Sequence, residues 1–203
     1  MAGDATKRAR GRPKTFDRTR TLDVAMDCYW REGVESISVN EICRRAGVSK
    51  PGLYREFDSE DRLMDAALTR YHEIVLGPAM AMIGEDRPCR ETLTDLIEFA
   101  TRTGTSDMPA GCLFANMRGH RDRLGPITGA HLDALRAENV RAYAEWLERC
   151  AKRGDITLTV PVELMATYVE AQLTMMLNRI AAGEDPEVIR AHAALAFAVL
   201  APT

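Results

Sequence analysis

The stretch from Ser38 to Phe57, SVNEICRRAGVSKPGLYREF, constrains the fold of this chain more than any other part of it. Gly47 divides the stretch into two short segments. Each segment opens at a serine, Ser38 or Ser49, whose hydroxyl can cap the first turn of a helix. The second segment is too short to be a good core element by itself. The pattern therefore predicts a helix-turn-helix, in which the second helix enters the major groove of DNA.

The side chains of the second segment divide into a buried set and an exposed set. At about 100° per residue along a helix, Leu53 and Phe57 share one face and anchor the helix to a core. The outward set consists of Lys50, Pro51, Gly52, Tyr54 and Arg55. Lysine and arginine can contact phosphates or guanine edges, and tyrosine can contact a phosphate or a thymine methyl group. The glycine allows the backbone a close approach, and we predict that all five residues contact DNA.

Residues outside the second segment extend this predicted contact. The Ser38 hydroxyl lies beside the free amides that open its helix, an arrangement that suits a phosphate. Arg45 is also counted as a DNA contact, although Arg44 and Arg45 fit a solvated helix face equally well. An ordinary pair of short amphipathic helices would show the same spacing, so that interpretation stays open.

The positive charge of the chain is concentrated at its N-terminus. Residues 1–20 contain seven basic and two acidic residues, a net charge of +5; the whole chain carries −3, so residues 21–203 carry −8. We predict that residues 1–15 form a disordered basic arm. Its segment Arg10-Gly11-Arg12-Pro13 resembles hooks that bind the narrow minor groove of A·T-rich DNA. The alternative is a basic tail that raises the affinity for any duplex.

Apolar residues keep a helical spacing after the arm, and no alternating strand pattern is evident. The first helix is predicted from near Phe16 or Asp17 to Gly33, and the fourth begins at Asp58-Ser59 and is weakened or ended by Gly77-Pro78. Further helices are predicted near 88–103, 112–121, 128–153, 161–182 and 185–200. The predicted fold class is all-α, with a three-helix DNA-binding head at residues 16–60 and a larger helical body at residues 61–203.

Several classes of protein are disfavoured by the sequence. It has no run of roughly 18 apolar residues for a transmembrane helix. The basic N-terminus lacks the apolar segment of a secretory signal, so we expect a cytoplasmic protein. The five cysteines lie far apart without a CxxC pair, and in a reducing compartment most of them should be free thiols. Phosphate-binding glycine loops, nucleophile elbows and metal-ligand spacings are not found, so neither an enzyme nor a cofactor is predicted.

Residues 16–71 resemble the N-terminal domain of the TetR family of transcriptional repressors. The matching positions are Ala25, Tyr29, Gly33, Ser36-Ile37-Ser38, Ile42, Ala46-Gly47-Val48-Ser49-Lys50, Leu53-Tyr54, Phe57 and Leu63. The resemblance implies a homodimer, a palindromic operator in double-stranded DNA, and a C-terminal domain that senses a small-molecule effector. It also implies DNA contacts at Ser38, Lys50, Gly52 and Tyr54.

One position departs from the family pattern. Members of the family often carry a phosphate-binding lysine where the fourth helix opens, and Glu60 stands near that place here. The sequence therefore does not predict the phosphate contact at this place, and Arg62 is a candidate replacement for the lysine.

The family resemblance also implies a dimer interface. In the family, the last two long helices pack against their symmetry mates as a four-helix bundle, and here these would be 161–182 and 185–200. The second of them carries small residues that allow close helix approach: Ala191, Ala193, Ala194, Ala196 and Ala198. An intramolecular core helix could have the same composition, so this alternative stays open.

The Pro-Ala-Gly-Cys stretch that ends at Cys112 resembles a subgroup of the same family. Cys112 lies near a predicted helix start, where the helix dipole lowers a thiol pKa. It is therefore a candidate sensor of oxidants or electrophiles, or a soft-metal ligand together with Met108 or Met117. A buried packing cysteine is the alternative. The predicted effector-pocket residues are Cys112, Phe114, Met117, Trp146, Tyr168, Gln172 and Met176.

The function that accounts for both head and body is a repressor released from its operator by a small-molecule effector. A repressor that senses redox state, electrophiles or metal through Cys112 is the first alternative. An effector-independent DNA-binding protein would explain the head alone. An activator is a further alternative to a repressor, since the sequence does not encode the operator's position.

Overall fold

The computed structural model describes residues 16–102, 104 and 108–200, and these residues form helices and turns without a β-strand. The all-α fold class is thereby confirmed. The predicted basic arm, with Arg10 and Arg12, lies outside the described residues. None of the helices in the described ranges has the length and apolar character needed to cross a membrane.

Short polar side chains set the starts of the three helices of the head. Asp17, Ser38 and Ser49 each accept a hydrogen bond from the amide three residues further on, at 3.0, 3.3 and 3.2 Å respectively. Each bond satisfies an N–H group that the first turn of a helix leaves without a partner. The helices are α1 (Arg18–Glu32), α2 (Val39–Ala46) and α3 (Lys50–Phe57).

The turn between α2 and α3 depends on Gly47. Its backbone is left-handed, with φ 70° and ψ 33°. A Cβ atom at this position would meet nothing within 4 Å, so the requirement for glycine comes from the backbone conformation and not from crowding. The N–H of Val48 then donates to the carbonyl of Cys43 at 3.0 Å, which closes the end of α2.

The backbone stays helical through Gly77-Pro78, where the fourth helix was predicted to weaken or end. Helix α4 (Glu60–Tyr71) passes through a π turn (His72–Leu76) into α5 (Gly77–Gly84). The N–H of Gly77 bonds to the carbonyl of His72, five residues back, as a π turn requires. Pro78 is tolerated because it falls in the first turn of α5. At the predicted break, the helix therefore changes its pitch and continues. The helix that follows, α5, was not predicted from the sequence pattern.

The remaining helices of the body lie close to the predicted ranges. They are α6 (Cys89–Thr101), α7 (Leu113–Gly119), α8 (Pro126–Arg153), α9 (Val162–Ala181) and α10 (Pro186–Phe197), followed by a 3₁₀ turn (Ala198–Leu200). Gly154, in the left-handed conformation, ends α8 directly after the predicted range 128–153.

Two groups of buried side chains form the core. The first joins the head to one side of the body and includes Tyr29 of α1, Leu68 of α4 and Leu132 of α8. The second lies between α6, α8, α9 and α10 and includes Trp146 and Val169. The predicted boundary between the head and the body at residue 60 stays a prediction. Because the first group spans it, movement of α4 relative to the body must also affect the head.

Candidate DNA interface and effector cavity

The exposed face of α3 carries most of the predicted DNA contacts. Lys50, Pro51 and Arg55 are exposed, Tyr54 is half-buried, and Leu53 is buried as predicted. The Lys50 ammonium lies 5.8 Å from the centre of the Tyr54 ring, close enough for a cation–π contact. Helix α3 therefore presents two positive charges and a phenol hydroxyl on one side.

Gly52 differs from the rest of the outward set, and its predicted exposure is wrong. It is buried in α3, and a Cβ atom there would lie 3.0 Å from Ser49 Oγ and 3.6 Å from the Phe16 ring. A Cβ atom here would crowd the capping hydroxyl of Ser49, whereas the Phe16 ring covers the position at ordinary van der Waals distance. The spacing within α3 could not reveal this contact, because Phe16 precedes α1.

Arg45 is engaged within the head. Its Nε lies 2.7 Å from Glu41 Oε1, and its Nη2 lies 3.1 Å from Glu32 Oε2 on α1. Hydrogen bonds from Arg44 and Arg45 lower the pKa of Glu41 to about 2, so this carboxylate is charged at neutral pH. Arg45 thus links α2 to α1, while Ser38 stays exposed beside the first amides of α2. These DNA contacts stay predictions.

The opening of α4 does not supply the lysine contact expected in the family. Glu60 is exposed in the first turn, where a negative charge suits the helix dipole. Arg62 is also exposed, with its Nε 3.8 Å from Asp58 Oδ2. Its guanidinium is therefore available to a phosphate, and whether it makes that contact stays open.

Asp61, the residue between them, connects the head to the body. Its carboxylate accepts hydrogen bonds from the N–H groups of Ile127 and Thr128 at 2.9 and 3.0 Å. Burial acts to raise the pKa of Asp61, but the hydrogen bonds from Thr128 and Ile127 outweigh it and lower the pKa below its usual value. One turn along, Asp65 Oδ1 lies 2.7 Å from His131 Nδ1. We call these five residues the α4–α8 seam.

A small cavity of about 70 Å³ lies inside the body. Its wall combines apolar side chains with a few polar groups. The lining residues are Leu76, Ala79, Met80, Leu96, Phe99, Ala100, Cys112, Phe114, Asn139, Tyr143, Glu170, Leu173, Thr174 and Leu177. Arg118 forms an ion pair with the buried Glu170, and Arg136 Nη2 lies 3.7 Å from its other oxygen. The buried carboxylate is therefore charge-compensated.

Only two of the seven predicted pocket residues, Cys112 and Phe114, line this cavity. The other five do not line it, and their contact with an effector stays a prediction. Met117 and Trp146 are buried in the core. The Tyr168 hydroxyl donates to the carbonyl of Ala196 at 2.8 Å, and thereby joins α9 to α10. Gln172 and Met176 line a separate cleft of about 30 Å³ between those helices. Helical spacing shows which residues share a face, but not which element covers that face.

Cys112 lies just before α7, as predicted, but burial raises the pKa of its thiol. The expected lowering by the helix start is wrong, because the loss of hydration outweighs the hydrogen bonds from nearby groups. The Tyr71 hydroxyl lies 3.2 Å from Cys112 Sγ. All five cysteines are free and buried. Among the described residues, no group of three or more His, Cys, Asp or Glu side chains could hold a metal ion.

Together, the bihelical corner, its basic outer helix and the attached helical body define a helix-turn-helix transcription regulator. The family model of the bacterial regulatory proteins, tetR family, matches residues 22–67. The HTH-type transcriptional repressor ComR of Escherichia coli K12 is 31% identical over 177 residues, which cover 83% of each chain. The chain therefore belongs to the tetR family of DNA-binding transcriptional regulators, whose members are not enzymes.

Further comparisons agree with this assignment. The repressor BdcR of E. coli K12 is 29% identical over 114 residues, 56% of this chain and 58% of BdcR. A cysteine-substituted form of the regulator CifR, solved with a 26-base-pair operator DNA, has a TM-score of 0.77 at 25% identity and covers 92% of this chain and 98% of its own. The reduced form of E. coli NemR has a TM-score of 0.76 at 15% identity, covers 92% of this chain and 98% of its own, and supports the fold alone.

Proposed function

We propose that this protein is a homodimeric repressor that binds a palindromic operator through α3 and leaves it when an effector enters the cavity. The position of helix α4 is the observation that supports this proposal. The helix begins three residues after the end of α3, at Glu60, and ends at Tyr71, whose hydroxyl contacts Cys112 in the cavity wall. One rigid element thus joins the DNA-facing helix to the cavity. ComR, which is 31% identical, is named a repressor.

The proposed DNA contacts come from exposed groups of the head. Lys50 and Arg55 supply positive charge, Tyr54 supplies a hydroxyl, and Ser38 supplies a hydroxyl beside free helix amides. The basic arm, with Arg10 and Arg12, adds contacts in the neighbouring minor groove. Operator DNA lies in the bacterial cytoplasm, so the proposal also places the protein there. CifR, which has the same fold, was solved with its operator.

The proposed dimer forms through α9 and α10. Among the described residues, large apolar side chains are exposed along one stripe of each helix, with Leu195 at 73% and Leu164 at 58% exposure. The other exposed members are Met175 and Val188, and Val199 in the 3₁₀ turn after α10 is exposed as well. Apolar stripes of this kind are covered in a stable protein, and a second copy of the same helix pair would cover them symmetrically. Two copies of α3 could then read half-sites roughly 34–36 Å apart.

Release of the protein from DNA requires that the effector bind more tightly to a form of the protein in which α4 has moved. A pocket for a drug-sized ligand needs about 300–1,000 Å³, whereas the cavity has about 70 Å³. An effector must therefore push its walls apart, and the walls include Leu76, which directly precedes α5, and Cys112, which contacts Tyr71. The apolar walls with Asn139 and Glu170 suit a mainly apolar molecule that carries a hydrogen-bonding group. Such a ligand shifts the equilibrium between the DNA-binding form and the opened form only by the difference between its affinities for the two forms.

A second candidate is a repressor that responds to modification of Cys112. The supporting observation is the 3.2 Å contact between its sulfur and the Tyr71 hydroxyl, because a bulkier sulfur would press directly on the end of α4. The raised pKa argues for slow reaction with general thiol reagents, so a reactive molecule would first have to bind in the cavity.

Selection of bound duplexes from a random DNA pool tests the proposal. A palindromic consensus with two half-sites is expected. Binding without sequence preference, or a strictly monomeric protein that binds no duplex at low salt, would overturn it. Release of the selected DNA is then measured with apolar compounds and with oxidants, using the unmodified protein and Cys112→Ser. Oxidant release that survives this substitution excludes the second candidate.

A further inference from the structure

Two polar side chains of α8 lie in the wall of the cavity inside the body. Asn139 and Tyr143 are four positions apart, so they share one face of the helix. Both line the cavity, and each is only 8% exposed. Within residues 16–102, 104 and 108–200, the Asn139 amide and the Tyr143 hydroxyl have no hydrogen-bond partner. Because burial of an unpaired polar group is costly, these two groups point to a ligand that pairs with them.

The two side chains can donate and accept hydrogen bonds at the same time. An asparagine amide carries a carbonyl oxygen and an NH₂ group, and a tyrosine hydroxyl can act in both ways. Burial and, to a smaller extent, the neighbouring Glu170 carboxylate raise the pKa of Tyr143, so its hydroxyl keeps its proton and can donate. A ligand whose head group combines a donor with an acceptor would satisfy both residues.

Glu170 of α9 restricts the charge that this head group can carry. Its carboxylate lines the same cavity and is nine-tenths buried, so it would repel a second carboxylate. Arg118 and Arg136 pair with Glu170 but do not line the cavity, and their side chains are 31% and 43% exposed. An ammonium group would therefore meet a carboxylate that is already paired, with two guanidinium groups close to it. A neutral head group meets neither obstacle.

Helices α5 and α6 supply apolar side chains to the cavity wall. These are Ala79 and Met80 of α5, and Leu96, Phe99 and Ala100 of α6. An apolar part of a ligand that packs against them is removed from water. Because α5 continues from α4 through the π turn, a ligand that displaces α5 also acts on α4.

We infer that the cavity binds a neutral amphiphile, in which an apolar chain or ring carries a hydroxyl or carboxamide head group held by Asn139 and Tyr143. The head group accepts hydrogen bonds from the Tyr143 hydroxyl and the Asn139 NH₂ group. It donates to the Asn139 carbonyl oxygen or to the Glu170 carboxylate. This inference rests on the proposed function, since it assigns a ligand class to the same cavity. Carboxylates and ammonium compounds with the same apolar part are excluded by charge.

Three eight-carbon probes that differ only in the head group test the inference: octanamide, octanoate and octylammonium. Isothermal titration calorimetry at neutral pH measures their binding to the full-length protein without DNA. We expect octanamide to bind more tightly than either charged probe by about tenfold or more, because the charged groups would lose hydration and meet like charge. A smaller difference would overturn the inference, and so would the absence of binding by all three probes.

Tyr143→Phe separates recognition of the ligand from packing of the core. The variant loses only a hydroxyl that has no partner among the described residues, so its urea midpoint should stay the same or rise. Its affinity for octanamide should fall about three- to tenfold, as the loss of one hydrogen bond predicts. Unchanged affinity would show that this hydroxyl does not bind the head group.

Tyr168→Phe is the matched control for the loss of a tyrosine hydroxyl. The Tyr168 hydroxyl donates to the carbonyl of Ala196 and does not line the cavity. The control should therefore lower the urea midpoint and leave octanamide binding unchanged. Equal weakening of octanamide binding in both variants would contradict the assignment of Tyr143.

Failure of the inference and failure of the proposed function give different results. If octanamide binds as expected but leaves the operator complex intact, the ligand class stands and release of DNA through this cavity is wrong. If octanoate or octylammonium releases the operator and octanamide does not, release stands and the ligand class is wrong.

Discussion

Asp61 at the start of α4 and Thr128 at the start of α8 are joined through both the backbone and the side chain of the threonine. The Thr128 N–H lies 3.0 Å from Asp61 Oδ1, and its hydroxyl lies 2.6 Å from the same oxygen and 2.8 Å from the Asp61 carbonyl. The N-cap position of α8 is Gly125, which has no side chain to accept these amides. Asp61 therefore caps α8 from another helix.

Replacement of Asp61 by alanine should destabilise the protein by about 1–2 kcal/mol, as expected for loss of a helix cap. The N–H groups of Ile127 and Thr128 would lose their acceptor, and the α4–α8 seam would loosen. Urea denaturation measures the change. Asp122→Ala removes a carboxylate from an exposed turn and is the control. Equal loss of stability in both variants would show that the cap contributes nothing specific.

Gly125→Ala should also destabilise the seam, by about 1–3 kcal/mol as is typical of overpacking. A Cβ atom there would approach Asp61 Cγ to 2.3 Å, and the aspartate is held by its hydrogen bonds. Gly84→Ala is the control, because a Cβ atom at that position meets nothing within 4 Å. In the Asp61→Ala background the cost of Gly125→Ala should largely disappear. Additive effects would contradict the proposed clash.

The contribution of Asp61 should depend on pH. Its pKa is lowered in the folded state, so the stabilisation is fully present above the unfolded pKa, about 3.9, and is lost as the pH falls through the folded value. Asp61→Asn cannot titrate in this way. The difference in unfolding free energy between the unmodified protein and Asp61→Asn should therefore narrow below about pH 4. A constant difference from neutral pH downwards would refute the assignment.

Lys50→Ala should weaken binding to any duplex and reduce its salt dependence. Each lost phosphate contact lowers the slope of log affinity against log salt by about 0.9, and a dimer has two copies. Fluorescence anisotropy at several salt concentrations measures the slope. Lys152→Ala, in the last turn of α8, removes the same charge from the body and is the control. An unchanged slope for Lys50→Ala would remove this residue from the interface.

Leu195→Glu should convert the proposed dimer to a monomer and abolish high-affinity operator binding. The substitution places a charge in the apolar stripe of α10, where the partner would bury it. Sedimentation velocity measures the change in mass. Ile74→Glu is the control, since Ile74 is an exposed apolar residue in the π turn, outside the stripe. A dimer that persists in Leu195→Glu would place the interface elsewhere.

Some features were readable from the sequence because the interactions that produce them are local. Ser38 and Ser49 cap helices from the positions predicted for them, and Gly47 takes the left-handed turn between them. Leu53 and Phe57 share the buried face that a helical repeat requires. Each effect involves neighbours along one segment, so the order of residue types is enough to predict it.

Other features of the protein depend on packing between segments that are distant in the sequence. Gly52 is buried because Phe16 covers it, and burial raises the pKa of Cys112 although it stands at a helix start. Asp61 caps a helix that begins 65 positions later. The sequence alone determined the helices and the helix-turn-helix, because backbone caps and periodicity act at short range. Only the tertiary structure determined the cavity and the seam, because hydration and contact depend on which helices pack together.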